Sequence, residues 1–217
     1  MKIHRMPNNP VEENTYVVSF ADKRAVIIDC GAVFQSEKQR VSDYIRDNEL
    51  TPVAHLLTHG HFDHCFGVRF IWQTYGLRPV LAQEDAFIFE DQVEMLRRLT
   101  GMDYPGEPFL EYHPLAEYDL KPLHCRAIHT PGHTPGGVCY LFEEDGETAL
   151  FSGDTLFRGS VGRTDHEGGN MITELQSIRT CLFTLPDELV VFPGHGPKTR
   201  IREERLFRAF FPEESAL

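Results

Sequence analysis

Between Thr58 and His64 the chain reads Thr-His-Gly-His-Phe-Asp-His. His59, His61, Asp63 and His64 thus crowd three imidazoles and a carboxylate into a few positions. Close imidazoles repel one another when protonated, and a carboxylate among them wants a cation. A divalent metal resolves both problems, because neutral imidazole and carboxylate oxygen are ordinary ligands of Zn²⁺, Mn²⁺ and Fe²⁺. The run 53–58 just before the cluster is short, apolar and β-rich, so a strand is expected to deliver these groups at its C-terminal end.

Three later loops repeat the arrangement of a lone His or Asp framed by Gly or Pro at the end of a β-rich run. They are Thr130–Gly137 with His133, Ser152–Phe157 with Asp154, and Pro193–Pro197 with His195. Glycine lets a backbone turn tightly and approach a ligand closely, and loops at strand ends are where a rigid sheet can aim side chains. The segments 14–20 and 24–30 read as a hairpin, the second buried on both faces. A helix is expected over 36–48 with Ser36 as its N-cap, and another over 64–75 closed by Gly76. The stretch 83–114 reads as a surface excursion, with a helix over 86–99 followed by Gly101, Pro105, Gly106 and Pro108. Strands follow at 124–129, 137–142 and 147–152, the last two joined through Asp145-Gly146. A helix over 170–185, a strand over 189–192 and a charged helix over 199–210 close the chain. Each half has strands first and then strands alternating with helices, the order of two sheets with helices outside them. No linker breaks the 217 residues, so one domain with a sizeable core is expected over 1–217.

The net charge of −12 argues against non-specific nucleic-acid binding, which needs a basic surface. No window has the apolar length of a membrane helix, and residues 1–7 lack the apolar core of a signal peptide. The five cysteines are odd in number and form no Cys-x-x-Cys, which fits reduced thiols in a cytoplasmic protein. Cys65, next to a candidate ligand, is the one expected to see the site. His4, His55, His113, His124, His129 and His166 match no ligand position and read as surface or core, with His129 close enough in sequence to support the His133 loop.

The whole set resembles the metallo-β-lactamase superfamily, and within it the glyoxalase II-like hydrolases. Five features carry the resemblance: Ile28-Asp29-Cys30-Gly31, the 58–64 motif, Pro131-Gly132-His133-Thr134, Gly153-Asp154-Thr155-Leu156-Phe157 and Pro193-Gly194-His195-Gly196. The resemblance implies an α/β fold, a four-layer αββα sandwich, holding two divalent metal ions. Zinc is the first choice, with iron or manganese as alternatives. It assigns His59, His61 and His133 to one metal, Asp63, His64 and His195 to the other, and Asp154 to both. Asp63 also accepts a hydrogen bond from the bridging water or hydroxide, which makes Asp63 and Asp154 the candidate catalytic residues. Asp29 steadies the ligand loop. Lowering the pKa of a water from ~15.7 to about 7 is worth roughly 12 kcal/mol in making a nucleophile, so no Ser or Cys nucleophile is needed. A structural zinc site is usually closed by four ligands, often thiolates, unlike this set.

The run from Arg158 to Asp165 resembles the Gly-basic segment with which glyoxalase II enzymes bind a glutathione thioester, so Arg158 and Arg163 are candidate substrate residues. Two departures weaken that match. Asp165 stands where an aromatic is usual, and the chain ends soon after His195, without the helical extension of the longer enzymes. Arg200, Arg202, Arg205 and Arg208 read as helix-surface charge. The expectation is a small-molecule hydrolase acting on an anionic thioester such as S-lactoylglutathione. The alternatives are a mononuclear-iron persulfide dioxygenase, which the same run also resembles, or a lactone or phosphodiester hydrolase.

Overall fold

The computed structural model describes residues 1–116 and 119–206, grouped into two compact units, Met1–Tyr118 and Asp119–Leu217. Each unit has its own sheet.

The first unit is built on a six-stranded sheet of β1 (Lys2–Asn8), β2 (Glu13–Ser19), β3 (Arg24–Ile28), β4 (Thr51–Leu56), β5 (Pro79–Leu81) and β6 (His113–Pro114), in that order. β1, β2 and β3 pair antiparallel, with Tyr16 opposite Ile28, which is the expected hairpin. β3 to β6 pair parallel, and parallel neighbours need crossovers. The first is α1 (Gln35–Asp47); the second contains α2 (Phe62–Cys65) and α3 (Val68–Tyr75). Ala25, Val26, Ile27 and Ile28 are fully buried, and Val17, Ala25 and Ile27 pack with Val41 and Ile45 of α1 and Ile71 of α3.

Ser36 is not the cap of α1. Phe34 holds that position, and Glu37 accepts the backbone N–H groups of Val33 (2.8 Å) and Phe34 (2.9 Å). A carboxylate reaching back from the third helical position does the work expected of a hydroxyl. The helix expected over 64–75 is divided near Phe66-Gly67, where the Gly67 N–H turns to the Cys30 carbonyl (2.7 Å); Gly76 ends it in the left-handed conformation. In the segment 83–114, α4 (Ala86–Glu90) and α5 (Gln92–Thr100) bury Ile88, Phe89, Met95 and Leu96. Phe89 and Phe109 pack with Leu57, Cys65, Val68 and Leu81.

The second unit has a six-stranded sheet in the order β14-β13-β10-β9-β8-β7. Its strands are β7 (Asp119–Leu120), β8 (Cys125–His129), β9 (Val138–Glu144), β10 (Glu147–Gly153), β13 (Val190–Pro193) and β14 (Thr199–Arg200), with a small hairpin of β11 (Leu156–Phe157) and β12 (Ser160–Val161). Asp145 (φ 51°) and Gly146 (φ 80°) make the two-residue turn between β9 and β10, the geometry that suits the twist of the flanking strands. α6 (Met171–Ser177) starts at Asn170, whose side chain accepts the Thr173 N–H, and widens into a π-helical segment over Ile178–Leu182. The closing helix is shorter than expected. Thr199 and Arg200 pair with β13 instead, α7 spans Ile201–Arg205, and the expected continuation over 207–210, with Arg208, lies outside the described residues. Leu141, Leu150, Ile178, Leu182, Val191 and Ile201 form the core of this unit. No described helix is long and apolar enough to cross a membrane.

Candidate metal centre

In the first unit, β3 and β4 run parallel and end side by side, so Asp29 reaches the turn that follows β4. Its buried carboxylate accepts the Thr58 N–H (2.7 Å) and hydroxyl (2.8 Å), and lies 2.9 Å from His64 Nδ1. A proton on Nδ1 leaves the Nε2 lone pair for a metal, the usual arrangement behind a ligand histidine. The rings of His59 and His64 lie 4.2 Å apart between centroids, and those of His59 and His61 4.8 Å apart; all three are buried. His64 Nε2 is 4.0 Å from Asp63 Oδ2. Four strand-proximal side chains therefore gather as the heptad implied.

Three residues that the sequence did not single out hold this turn and the Gly31 segment beside it. Asp85, just before α4, accepts the Gly60 N–H (3.0 Å) with a fully buried carboxylate. Asn9 donates to the carbonyls of Asp63 (2.9 Å) and Gly31 (3.2 Å). Glu13 accepts the Gly31 N–H and the Thr15 hydroxyl, both at 2.9 Å, and burial pushes its carboxyl well above the usual range. Cys65 sits in the apolar cluster with Leu57 and Phe89, where burial drives its thiol pKa up; Cys30 and Cys139 are likewise buried and raised to about 12. These thiols pack as small hydrophobes.

In the second unit, His133, Asp154 and His195 come from three separate loops. His133 Nδ1–H donates to the Arg163 carbonyl (2.7 Å). Its Nε2 lies 3.6 Å from Asp154 Oδ2, and His195 Nε2 lies 3.7 Å from the same oxygen. The Gly194 N–H bonds to the Gly153 carbonyl (2.7 Å), tying the His195 loop to the Asp154 loop. Glu174 of α6 accepts the His133 N–H (2.7 Å); burial raises its carboxyl to about 8 against the pull of that bond. His166 sits edge-on to the His133 ring with centroids 4.9 Å apart, closer to the site than its sequence context suggested. His129 Nε2 donates to the Pro135 carbonyl (2.9 Å), bracing the base of the His133 loop as expected of a supporting residue.

Both units pass the same chemical test for a metal. The spacings of 3.6, 3.7 and 4.0 Å between imidazole nitrogens and carboxylate oxygens are too long for good hydrogen bonds. Ligand atoms placed about 2.0–2.2 Å from one cation lie ~3–4 Å from each other. The inner nitrogens of His64 and His133 are occupied by Asp29 and by Arg163, which turns the outer nitrogens toward these carboxylates.

The candidate substrate residues are placed differently. Arg158 and Arg163 are both exposed. Arg163 forms a two-pronged ion pair with Asp165 (2.8 and 3.1 Å). The turn after Arg158 is anchored by the Gly159 N–H to buried Glu204 (2.7 Å). Arg202 and Arg205 pair with Glu188 and Asp187, and Arg200 also with Glu188, which is the surface role expected of them.

The family model of the metallo-beta-lactamase superfamily matches residues 8–195, so the chain belongs to that superfamily of metallo-hydrolases. Its fold is shared with BLEG-1, a B3 metallo-beta-lactamase (TM-score 0.85, 33% identity, 97% of this chain and 100% of that one). It is also shared with TTHA1623 in a di-iron-bound form (TM-score 0.82, 35% identity, 95% and 99%). The hydroxyacylglutathione hydrolase GloC of Haemophilus influenzae is 32% identical over 220 residues, covering 99% of this chain and all of that protein.

Proposed function

We propose that this chain is a binuclear metallohydrolase of glutathione thioesters, with S-lactoylglutathione as the model substrate. His59, His61 and His133 would hold one divalent ion, Asp63, His64 and His195 the other, and Asp154 both. The observation that carries the metal reading is the orientation of the imidazoles. Asp29 and the Arg163 carbonyl take the inner nitrogens of His64 and His133, and the outer nitrogens stand near carboxylates at distances that suit ligands better than hydrogen-bond partners. When bound, such a metal pair supplies a Lewis acid for a carbonyl oxygen and acidifies a coordinated water. The protein's own part is to fix the tautomer of His64 and His133 and aim their outer nitrogens, through Asp29 and the Arg163 carbonyl, and to offer Asp63 as a proton acceptor. The buried thiols, with raised pKa values, argue against a cysteine nucleophile.

GloC's similarity over the full chain supports the thioester. TTHA1623 supports iron beside zinc and manganese as the metal. The unbridged cysteines, of which Cys30, Cys65, Cys125 and Cys139 are buried, support a cytoplasmic setting.

The test is metal analysis of the purified protein with parallel assays of S-lactoylglutathione hydrolysis, β-lactam hydrolysis, and oxygen uptake with glutathione persulfide. Two metals per chain and thioester cleavage are expected. Oxygen uptake with one iron per chain would replace this reading with a dioxygenase, and preferential β-lactam cleavage would replace the substrate.

A further inference from the structure

α6 is built around the His133 loop, and Glu174 is its centre. Three bonds join the two segments. The Glu174 carboxyl group accepts the His133 N–H (2.7 Å), the Ser177 hydroxyl donates to the Pro131 carbonyl (2.7 Å) and the Asn170 N–H donates to the Gly132 carbonyl (2.7 Å); within the loop, the Gly132 N–H donates to the Thr134 carbonyl (2.9 Å). The approach is as close as backbones allow. A Cβ on Gly132 would lie 2.2 Å from Glu174 Cα, and Gly132 has a φ of 147°. Only glycine fits there. Glu174 is fully buried, where a carboxyl group is costly unless it is hydrogen-bonded, and the bond that compensates it comes from the His133 N–H.

Of these bonds, only the one from Glu174 falls on the ligand residue itself. His133 is then fixed at two points, its main chain by Glu174 and its ring by the Arg163 carbonyl. Two points determine the direction of Nε2, which a single point would leave free to swing about the main chain. We propose that Glu174 is a positioning residue that sets the aim of His133, and through it the metal affinity of the site to which His133 belongs. Glu174 touches no reacting group in this role. The inference rests on the reading of His133 as a metal ligand.

The experiment is Co²⁺ titration of the metal-free full-length protein, followed by visible absorption and by competition with a chelator, for wild type, Glu174→Ala and Glu174→Gln. Glutamine keeps an oxygen that can accept the His133 N–H; alanine does not. Expected is an affinity about 10–100-fold weaker for Glu174→Ala, as for other residues that orient ligands, with an altered cobalt spectrum, and near wild-type behaviour for Glu174→Gln. The metal-free proteins should share the same circular dichroism. Should Glu174→Ala fail to fold, Glu174→Asp, which withdraws the carboxylate by one methylene, is read in its place. Wild-type affinity and spectrum in the truncated variant would overturn the inference. Equal weakening in Glu174→Gln would do so too, since the bond would then not be what matters. No cobalt binding by wild type would instead remove the metal reading beneath it.

Discussion

Single residues divide the labour of the candidate centre between groups that would touch a metal and groups that aim them. Asp29 belongs to the second kind. Three polar groups, the Thr58 N–H and hydroxyl and the His64 Nδ1, converge on one buried carboxylate. Removing it strands buried donors, each costing about 1–3 kcal/mol. Asp29→Ala should therefore lower the unfolding free energy of the metal-free protein by about 3 kcal/mol or more, read from the urea midpoint at unchanged slope; a loss confined to activity would show that Asp29 has no structural part. Arg163 splits its functions differently. Its carbonyl orients His133, so a side-chain substitution leaves that bond, while its guanidinium is engaged by Asp165 at the surface. Arg163→Ala should raise KM for anionic thioesters more than it lowers kcat. Asp165→Asn, which frees the guanidinium, should lower that KM. Unchanged KM values in both would take the pair out of the substrate site.

At the scale of elements, two of the ligand loops are held by a residue in or next to a helix from another stretch of chain. α6 holds the His133 loop, and the turn before α4 holds Gly60, between His59 and His61, through Asp85. The segment 83–114 is thereby tied to the ligand turn. Asp85→Ala should weaken metal binding at the 58–64 motif and leave α4 folded, because Ile88 and Phe89 still bury its face. Chelator competition together with circular dichroism would check this, and full metal affinity in the variant would refute it. These helices were partly legible beforehand. α1 and α6 follow apolar spacing, but Asp85 and Glu174 lie at helix positions where an acid normally faces water, and nothing in their spacing marks them as buried partners of a backbone N–H.

For the molecule as a whole, two dependences of stability follow. His55 lies near the C-terminal end of β4, fully buried, and burial pulls its pKa from about 6.5 down to about 3. Between those values the unfolded chain binds a proton that the folded chain refuses, so stability is intact above pH ~6.5 and lost as the pH falls, at most about 1.4 kcal/mol per unit. His55→Leu should move the acid-unfolding midpoint to lower pH; an unmoved midpoint would mean other groups control it. Metal adds the second dependence. A ligand bound only by the folded state stabilises it by about 4 kcal/mol at a thousandfold excess over its Kd. Zinc or iron should thus raise Tm in wild type and much less in His61→Ala or Asp154→Ala, which should also lose turnover; an equal rise in the variants would place the metal elsewhere.

The ligand heptad, the glycine-framed His and Asp loops, the two strand-rich halves and the Asp145-Gly146 turn were all decided locally, by chelating side chains at fixed spacing and by backbone dihedrals that few residues tolerate. The division near Gly67, the pairing of Thr199 into a sheet, and the burial of Glu13, Asp85 and Glu174 were decided only by the fold. Each depends on a hydrogen-bond partner or a packed surface contributed by a distant stretch of chain, and such a partner leaves no mark on the spacing of the residues it satisfies.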